Sequence, residues 1–184
     1  MKRPRSNSRE KILAAAADVA REAGPGNLSL DAVASRAGVS KGGLLYNFPT
    51  KAKLMQALVE DYLGEFEQRM AAAAAAPEGG ENLLSTYVRL SVSDCQETQA
   101  SASWIFSAIA EDPEFLTPIK TFRRQLFERL KGETPDFRAL LVAYLAIEGL
   151  RSLSLFDFDL LSEAERGELA DALLSISALG LPGA

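Results

Sequence analysis

The 184 residues are 47% hydrophobic, enough for a sizeable core, and no stretch reaches the roughly 18 uninterrupted apolar residues that a membrane helix needs. A single cysteine, Cys95, excludes an internal disulfide, and the absence of histidine removes imidazole acid–base chemistry, His-containing triads and most zinc sites. The net charge of -5 is uneven: residues 1–53 hold ten Lys/Arg against four Asp/Glu, and residues 54–184 hold ten against twenty-one, a basic head of +6 on an acidic body of -11. That split suits a nucleic-acid binder that meets phosphate only with its head. Chance clustering, or a basic tail made by Lys2, Arg3 and Arg5, is the plain alternative.

Residues 1–7 contain Pro4 and no apolar periodicity, which predicts a disordered basic arm. Contact with phosphate or the minor groove and simple solubilisation are both open for it. The polar start MKRPRSNSRE has no apolar segment of the secretory kind, and a cytoplasmic location is expected. Ser8 is placed to cap a first helix reaching residue 23, with Ile12, Ala16, Val19 and Ala23 on one face. Gly24-Pro25-Gly26 stops it. Ser29 caps a second helix, with Asp31 well placed for the positive end of the helix dipole and Val33, Ala34 and Ala37 facing inward. Gly38 suits a left-handed turn, Ser40 caps a third helix, and Val39 and Leu44 close a small core. Pro49 ends that helix and Thr50 caps a fourth. The spacing of Ala34, Gly38 and Leu44 is that of a helix-turn-helix: a small residue at the crossing, a glycine at the turn, an apolar anchor on the second helix.

The fourth helix is expected over 51–75, with Met55, Val59, Tyr62, Phe66 and Met70 as one stripe, and Pro77-Glu78-Gly79-Gly80 breaks it. It reads either as a lever joining head to body or as an ordinary amphipathic helix. Further helices are expected over 81–95, 98–111 and 114–131, the last starting late or kinking at Pro118. Residues 136–156 are apolar almost all round, which implies burial on more than one side. A final helix over 162–179 opens with the capping box Ser162-Glu163-Ala164-Glu165. With no convincing strand alternation, the fold is expected to be all-α with about nine helices: a three-helix helix-turn-helix head over 1–53 and a helical body over 54–184, to which the resemblance described next assigns regulation and dimerisation.

From residue 8 to about 58 the chain resembles the tetracycline-repressor (TetR) family of bacterial transcription regulators. Ala37, Gly38, Val39, Ser40, Leu44, Tyr46, Phe48, Lys51 and Leu54 follow that family's pattern. Leu45 stands where a tyrosine is common and Asn47 where a histidine is common. The resemblance implies a DNA-binding regulator rather than an enzyme, acting as a homodimeric repressor on a palindromic double-stranded operator, with a small-molecule effector and with no cofactor, metal or membrane partner. By position, Ser29 would offer its hydroxyl and backbone N–H to phosphate. Ser40, Lys41, Gly42 and Gly43 would lead the recognition helix into the major groove, with Lys41 reading guanine O6 or N7 and the two glycines permitting close backbone approach. Leu45 would touch a thymine methyl or pack internally, and Tyr46, Asn47 and Lys51 would hold phosphate. Plainer readings stand beside these: Ser29 and Ser40 as caps only, Tyr46 as part of the core, Lys51 as a solvated lysine.

In the body, the same resemblance implies that the helices over 136–156 and 162–179 form a four-helix bundle with their twins. The middle helices would enclose the effector, with Tyr87, Trp104, Phe106, Phe122 and Tyr144 as candidate lining residues, each equally readable as core. Glu148 and Arg151, three residues apart in an apolar run, are expected to pair. The competing reading from another class is a helical protein-interaction module whose helix-turn-helix has lost DNA binding; the basic head argues against it.

Overall fold

The computed structural model describes residues 6–24, 27–74, 82–97, 108–110, 112–156, 158 and 160–179. Among these there is no strand. The helical elements bounded within the described residues are α1 (Ser6–Ala23), α2 (Leu30–Ala37), α3 (Lys41–Asn47), α4 (Lys51–Ala74), α5 (Leu83–Glu97), a 3-10 turn (Pro113–Leu116), α6 (Thr117–Glu133), α7 (Phe137–Leu155) and α8 (Glu163–Leu179), and residues 108–110 are helical as well. No helix of the described residues is long and apolar enough to cross a membrane.

Most element ends follow local chemistry. Asp136 caps α7 by accepting from the N–H groups of Arg138 and Ala139. At the start of α8 the Ser162 N–H donates to Glu165 Oε2 at 2.8 Å and the Glu165 N–H donates back to Ser162 Oγ at 3.3 Å, the reciprocal pair that the sequence spelled. Pro118 falls in the first turn of α6, where its missing N–H has no helical partner to lose, so the helix starts late and needs no kink. Some ends differ from expectation: α5 spans Leu83–Glu97 rather than 81–95, and of the helix expected over 98–111 only 108–110 lie within the described residues, where they are helical. The first helix begins at Ser6 and takes Ser8 into its first turn, where a serine is tolerated because the leading N–H groups are unpaired in any case. Residues 6 and 7 of the expected arm are therefore helical, and residues 1–5 lie outside the described residues.

The chain packs as two compact units, Met1–Leu63 with Ser101–Lys120, and Gly64–Ala100 with Thr121–Ala184. The packing boundary lies ten residues beyond residue 53, because Leu54, Met55 and Ala57 of α4 close the same core as Ile12 and Ala16 of α1, Val33 and Ala34 of α2, and Leu44 and Phe48. Ala108 and Phe115, from the second segment of the first unit, complete that core. In the second unit Phe66 and Met70 of α4 join Leu84, Tyr87 and Val88 of α5, Leu126 and Leu130 of α6, Leu140, Ala143, Ile147 and Leu150 of α7, and Leu173 of α8. Asn82 Nδ2 donates to the Ser177 carbonyl at 2.7 Å and the Ser85 and Ser177 hydroxyls meet at 3.0 Å, tying α5 to α8.

The expected stripe of α4 is thus two stripes in series. Met55 and Val59 serve the first core, Phe66 and Met70 the second, and Tyr62 at the changeover is 44% exposed. On α7, Ala139, Leu140, Ala143, Ile147 and Leu150 are buried, while Val142 and Leu145 face outward with Leu145 64% exposed.

Candidate functional site

The helix-turn-helix is built by caps and one glycine. Ser29 lies in extended backbone and its Oγ accepts from the Ala32 N–H at 3.5 Å, opening α2. Gly38 closes α2 at φ 65° and ψ 33°, a left-handed conformation that costs an L side chain energy, with its N–H on the Ser35 carbonyl. The next N–H, of Val39, returns to the Ala34 carbonyl at 3.0 Å. Ser40 then opens α3 by accepting from the Gly43 N–H at 3.0 Å. A Cβ on Gly43 would stand 3.3 Å from Ser40 Oγ, so the glycine leaves room for that cap, whereas Gly42 faces open space.

Leu44 and Phe48 bury the inner side of α3. The Arg9 guanidinium lies 5.3 Å from the centre of the Phe48 ring. Arg36 grips Glu22 with two parallel bonds of 2.9 and 2.7 Å, which join α2 to α1 and hold the Glu22 carboxyl below its ordinary range. Neither contact was visible in the sequence, because its partners are far apart in it.

The predicted DNA-facing residues fall on this frame unevenly. Tyr46 is 80% exposed, so the part-core reading fails for it, and Leu45 at 36% is the more sheltered neighbour. Asn47 donates one amide N–H to the Gly43 carbonyl at 2.8 Å, one helical turn back, and keeps a second N–H and its carbonyl oxygen. Ser29 and Ser40 both serve as caps; accepting a cap bond still leaves each hydroxyl proton free to be donated. Lys41 lies against Asp31, with Nζ 3.0 Å from Oδ1 and 3.1 Å from Oδ2, so the N-termini of α2 and α3 meet there. Lys51 opens α4 and is half-buried. Nearby, Thr50 Oγ1 accepts from the Lys53 N–H as expected of a cap, and the Lys53 ammonium pairs with Asp112 at 2.6 Å.

The second unit brings three of the five predicted aromatic residues together. Tyr87 stacks on Tyr144 with centroids 5.5 Å apart, and Phe66 stands edge-on to both Tyr87 and Phe122 at 6.5 and 6.1 Å. Phe127 stands edge-on to Tyr144 at 5.0 Å. Trp104 and Phe106 lie outside the described residues. Phe66 read in the sequence only as part of the α4 stripe and Phe127 was not singled out, because both carry the helical spacing of ordinary core.

Arg151 does pair with Glu148, at 2.8 Å, but within a larger group. Its guanidinium also donates to Ser91 Oγ at 2.9 Å and lies 5.8 and 5.7 Å from the centres of the Phe66 and Tyr87 rings, while Arg123 holds the other Glu148 oxygen at 2.9 Å. Burial pushes the Tyr87 phenol well above its ordinary value and raises Tyr144 in the same direction. Burial likewise raises the Cys95 thiol, which makes it a poor nucleophile. Among the described residues no three metal-ligating side chains gather.

Comparison with known proteins agrees with the helix-turn-helix. The family model described as "Bacterial regulatory proteins, tetR family" matches residues 12–58, and that described as "Tetracyclin repressor-like, C-terminal domain" matches residues 81–178. None of the curated proteins matches. Among solved structures, a transcriptional regulator from Rhodococcus sp. Rha1 is 22% identical and superposes with a TM-score of 0.65 over 95% of this chain and 100% of that one. The multidrug binding protein EbrR, complexed with imidazole, gives 21% and 0.61 over 90% of this chain and 93% of its own. The regulator FadR from Bacillus subtilis, in complex with stearoyl-CoA, gives 18% and 0.51 over 94% and 99%. At these identities the likeness is one of fold. With both family models accounting for head and body in order, the chain belongs to the tetR family of bacterial regulatory proteins, DNA-binding regulators of transcription rather than enzymes.

Proposed function

We propose that the chain is a cytoplasmic repressor that binds a palindromic operator as a homodimer and releases it when a small molecule occupies the body. The observation that carries the DNA-binding part is the face of the helix-turn-helix: the Lys41 ammonium with Asp31 beside it, two cap hydroxyls and a largely exposed tyrosine on a frame whose other side is sealed by Leu44 and Phe48. In this reading Ser29, Tyr46, Asn47 and Lys51 hold phosphate, and Ser40, Lys41, Gly42, Gly43 and Leu45 lie along the major groove.

Two glycines and a leucine leave the recognition helix few side chains for base edges. Selectivity then depends on two half-sites held about 34–36 Å apart, roughly one DNA turn, and on DNA shape. The outward apolar residues of α7, Val142 and Leu145, and the exposed Leu179 of α8 support the pairing of two subunits through α7 and α8. The aromatic group of Tyr87, Phe122 and Tyr144 beside Arg151 supports an effector site in the body, and two proteins of this fold hold small molecules, imidazole in one and stearoyl-CoA in the other. A ligand acts on operator binding only through its different affinity for the DNA-competent and DNA-incompetent states.

Selection of bound duplexes from fragmented genomic DNA tests the proposal. The expected result is a set of fragments sharing an inverted repeat, bound less tightly as salt rises. An intact dimer that enriches no fragment would favour a protein-interaction module instead.

A further inference from the structure

Asp31 is the second residue of α2 and Lys41 the first of α3, and their charges meet at 3.0 and 3.1 Å. Helix electrostatics account for only half of the pair. A carboxylate in the first turn of α2 sits at the positive end of that helix dipole with the favourable sign, whereas a lysine in the first turn of α3 has the unfavourable one. The first turn of α3 contains no acidic residue, so Asp31 supplies the compensation from another helix. The side chains are 59% and 70% exposed, and an exposed pair of this kind adds little to stability. Its consequence lies in what the ammonium can reach: of its three N–H donors, those directed at the two carboxylate oxygens are engaged.

We propose that Asp31 is a specificity-determining positioning residue. It holds Lys41 so that the ammonium serves one acceptor on a base edge, guanine O6 or N7, in place of any nearby phosphate. Its own negative charge opposes close approach of the head to DNA that offers no such acceptor. The proposal rests on the DNA-binding reading of the head. On a random duplex the closed pair presents no net charge, so Lys41 displaces no counterion, and Asp31 repels the phosphates. On the operator the remaining N–H finds its acceptor without the pair opening, and the hydrogen bond offsets the repulsion.

Two probes test this: a palindromic duplex selected from random sequence with the wild-type protein, and a scrambled duplex of equal length and composition. Affinities are read by fluorescence anisotropy over a salt series. Asp31→Asn keeps the side chain's size and removes its charge. It is expected to bind the scrambled duplex about fivefold more tightly at low salt, with a salt slope steeper by about one unit. Operator affinity should change by less than about twofold, so discrimination falls mainly at the base pair Lys41 reads. Asp31→Glu, which keeps the charge, should retain most of the wild-type discrimination. In a Lys41→Ala background, Asp31→Asn should leave the ratio of the two affinities unchanged.

An equal change on both duplexes, no change on either, or an undiminished effect in the Lys41→Ala background overturns the proposal while leaving DNA binding intact. Failure of the wild-type protein to bind either duplex overturns the DNA-binding reading as well.

Discussion

Tyr46 and Lys51 carry the phosphate-holding part of the proposal at the scale of single side chains. Tyr46 contributes almost nothing to the core, so Tyr46→Phe should leave the melting temperature unchanged. Losing a hydroxyl bound to a charged phosphate should weaken operator binding by roughly tenfold. A parallel loss of stability would mean that the hydroxyl is structural instead. Lys51→Ala should lower the slope of log affinity against log salt by about one unit, and an unchanged slope would remove Lys51 from the phosphate contacts. The roles of Ser29, Gly38, Ser40 and Thr50 were legible in the sequence because caps and tight turns are decided within four or five residues. The engagement of Lys41 by Asp31 was not legible. Ten residues separate them, and only the turn geometry brings the two N-termini together. Asn47 likewise read as a phosphate ligand, and its choice of the Gly43 carbonyl became visible only with the helix built.

Among elements, the turn at Gly38 and the segment 112–116 matter most. An alanine at Gly38 must adopt a positive φ, so Gly38→Ala should destabilise the head by about 1 kcal/mol and weaken DNA binding by loosening the α2–α3 angle. Chemical denaturation with a parallel binding assay would check both effects. The segment around the 3-10 turn belongs to the same compact unit as α1–α3, although the family model for the C-terminal domain covers it. Phe115 is fully buried in the head core, and Asp112 caps the turn at the Glu114 N–H while pairing with Lys53. Phe115→Ala should therefore cost about 3–5 kcal/mol and should unfold the helix-turn-helix rather than the body. The helices themselves followed from periodicity and breakers. This segment's allegiance did not, because it depends on contacts with residues more than fifty positions earlier. The same holds for Tyr62: a single periodic stripe on α4 cannot reveal that its two halves fill different cores.

For the molecule as a whole, charge and pairing set the behaviour. Hydrogen bonds from Arg36, Lys53 and Ser162 hold the carboxyls of Glu22, Asp112 and Glu165 below their ordinary values. A depressed folded-state value means stability that is present in full above the ordinary carboxylate range and lost as pH falls through the lowered values. The melting temperature should therefore decline on acidification below that range, and these three groups should contribute no loss between neutral and mildly alkaline pH.

In the proposed dimer Leu145 is covered by the partner. Leu145→Asp should yield a folded monomer that keeps weak half-site affinity and loses tight operator binding, with the oligomeric state read by analytical ultracentrifugation. The basic head and acidic body were visible as a charge split of +6 and -11. That split points to the head as the part that would meet DNA in the proposed function, without saying which side chains would do so. In the proposed function, selectivity arises from two weakly reading heads held in register. Its most direct measurement is the affinity of the wild-type protein for a full palindromic operator against a duplex carrying one half-site, at matched salt. Two heads in register should prefer the palindrome by at least about a hundredfold, as expected when the second contact becomes intramolecular, and equal affinity for the two duplexes would rule that mechanism out.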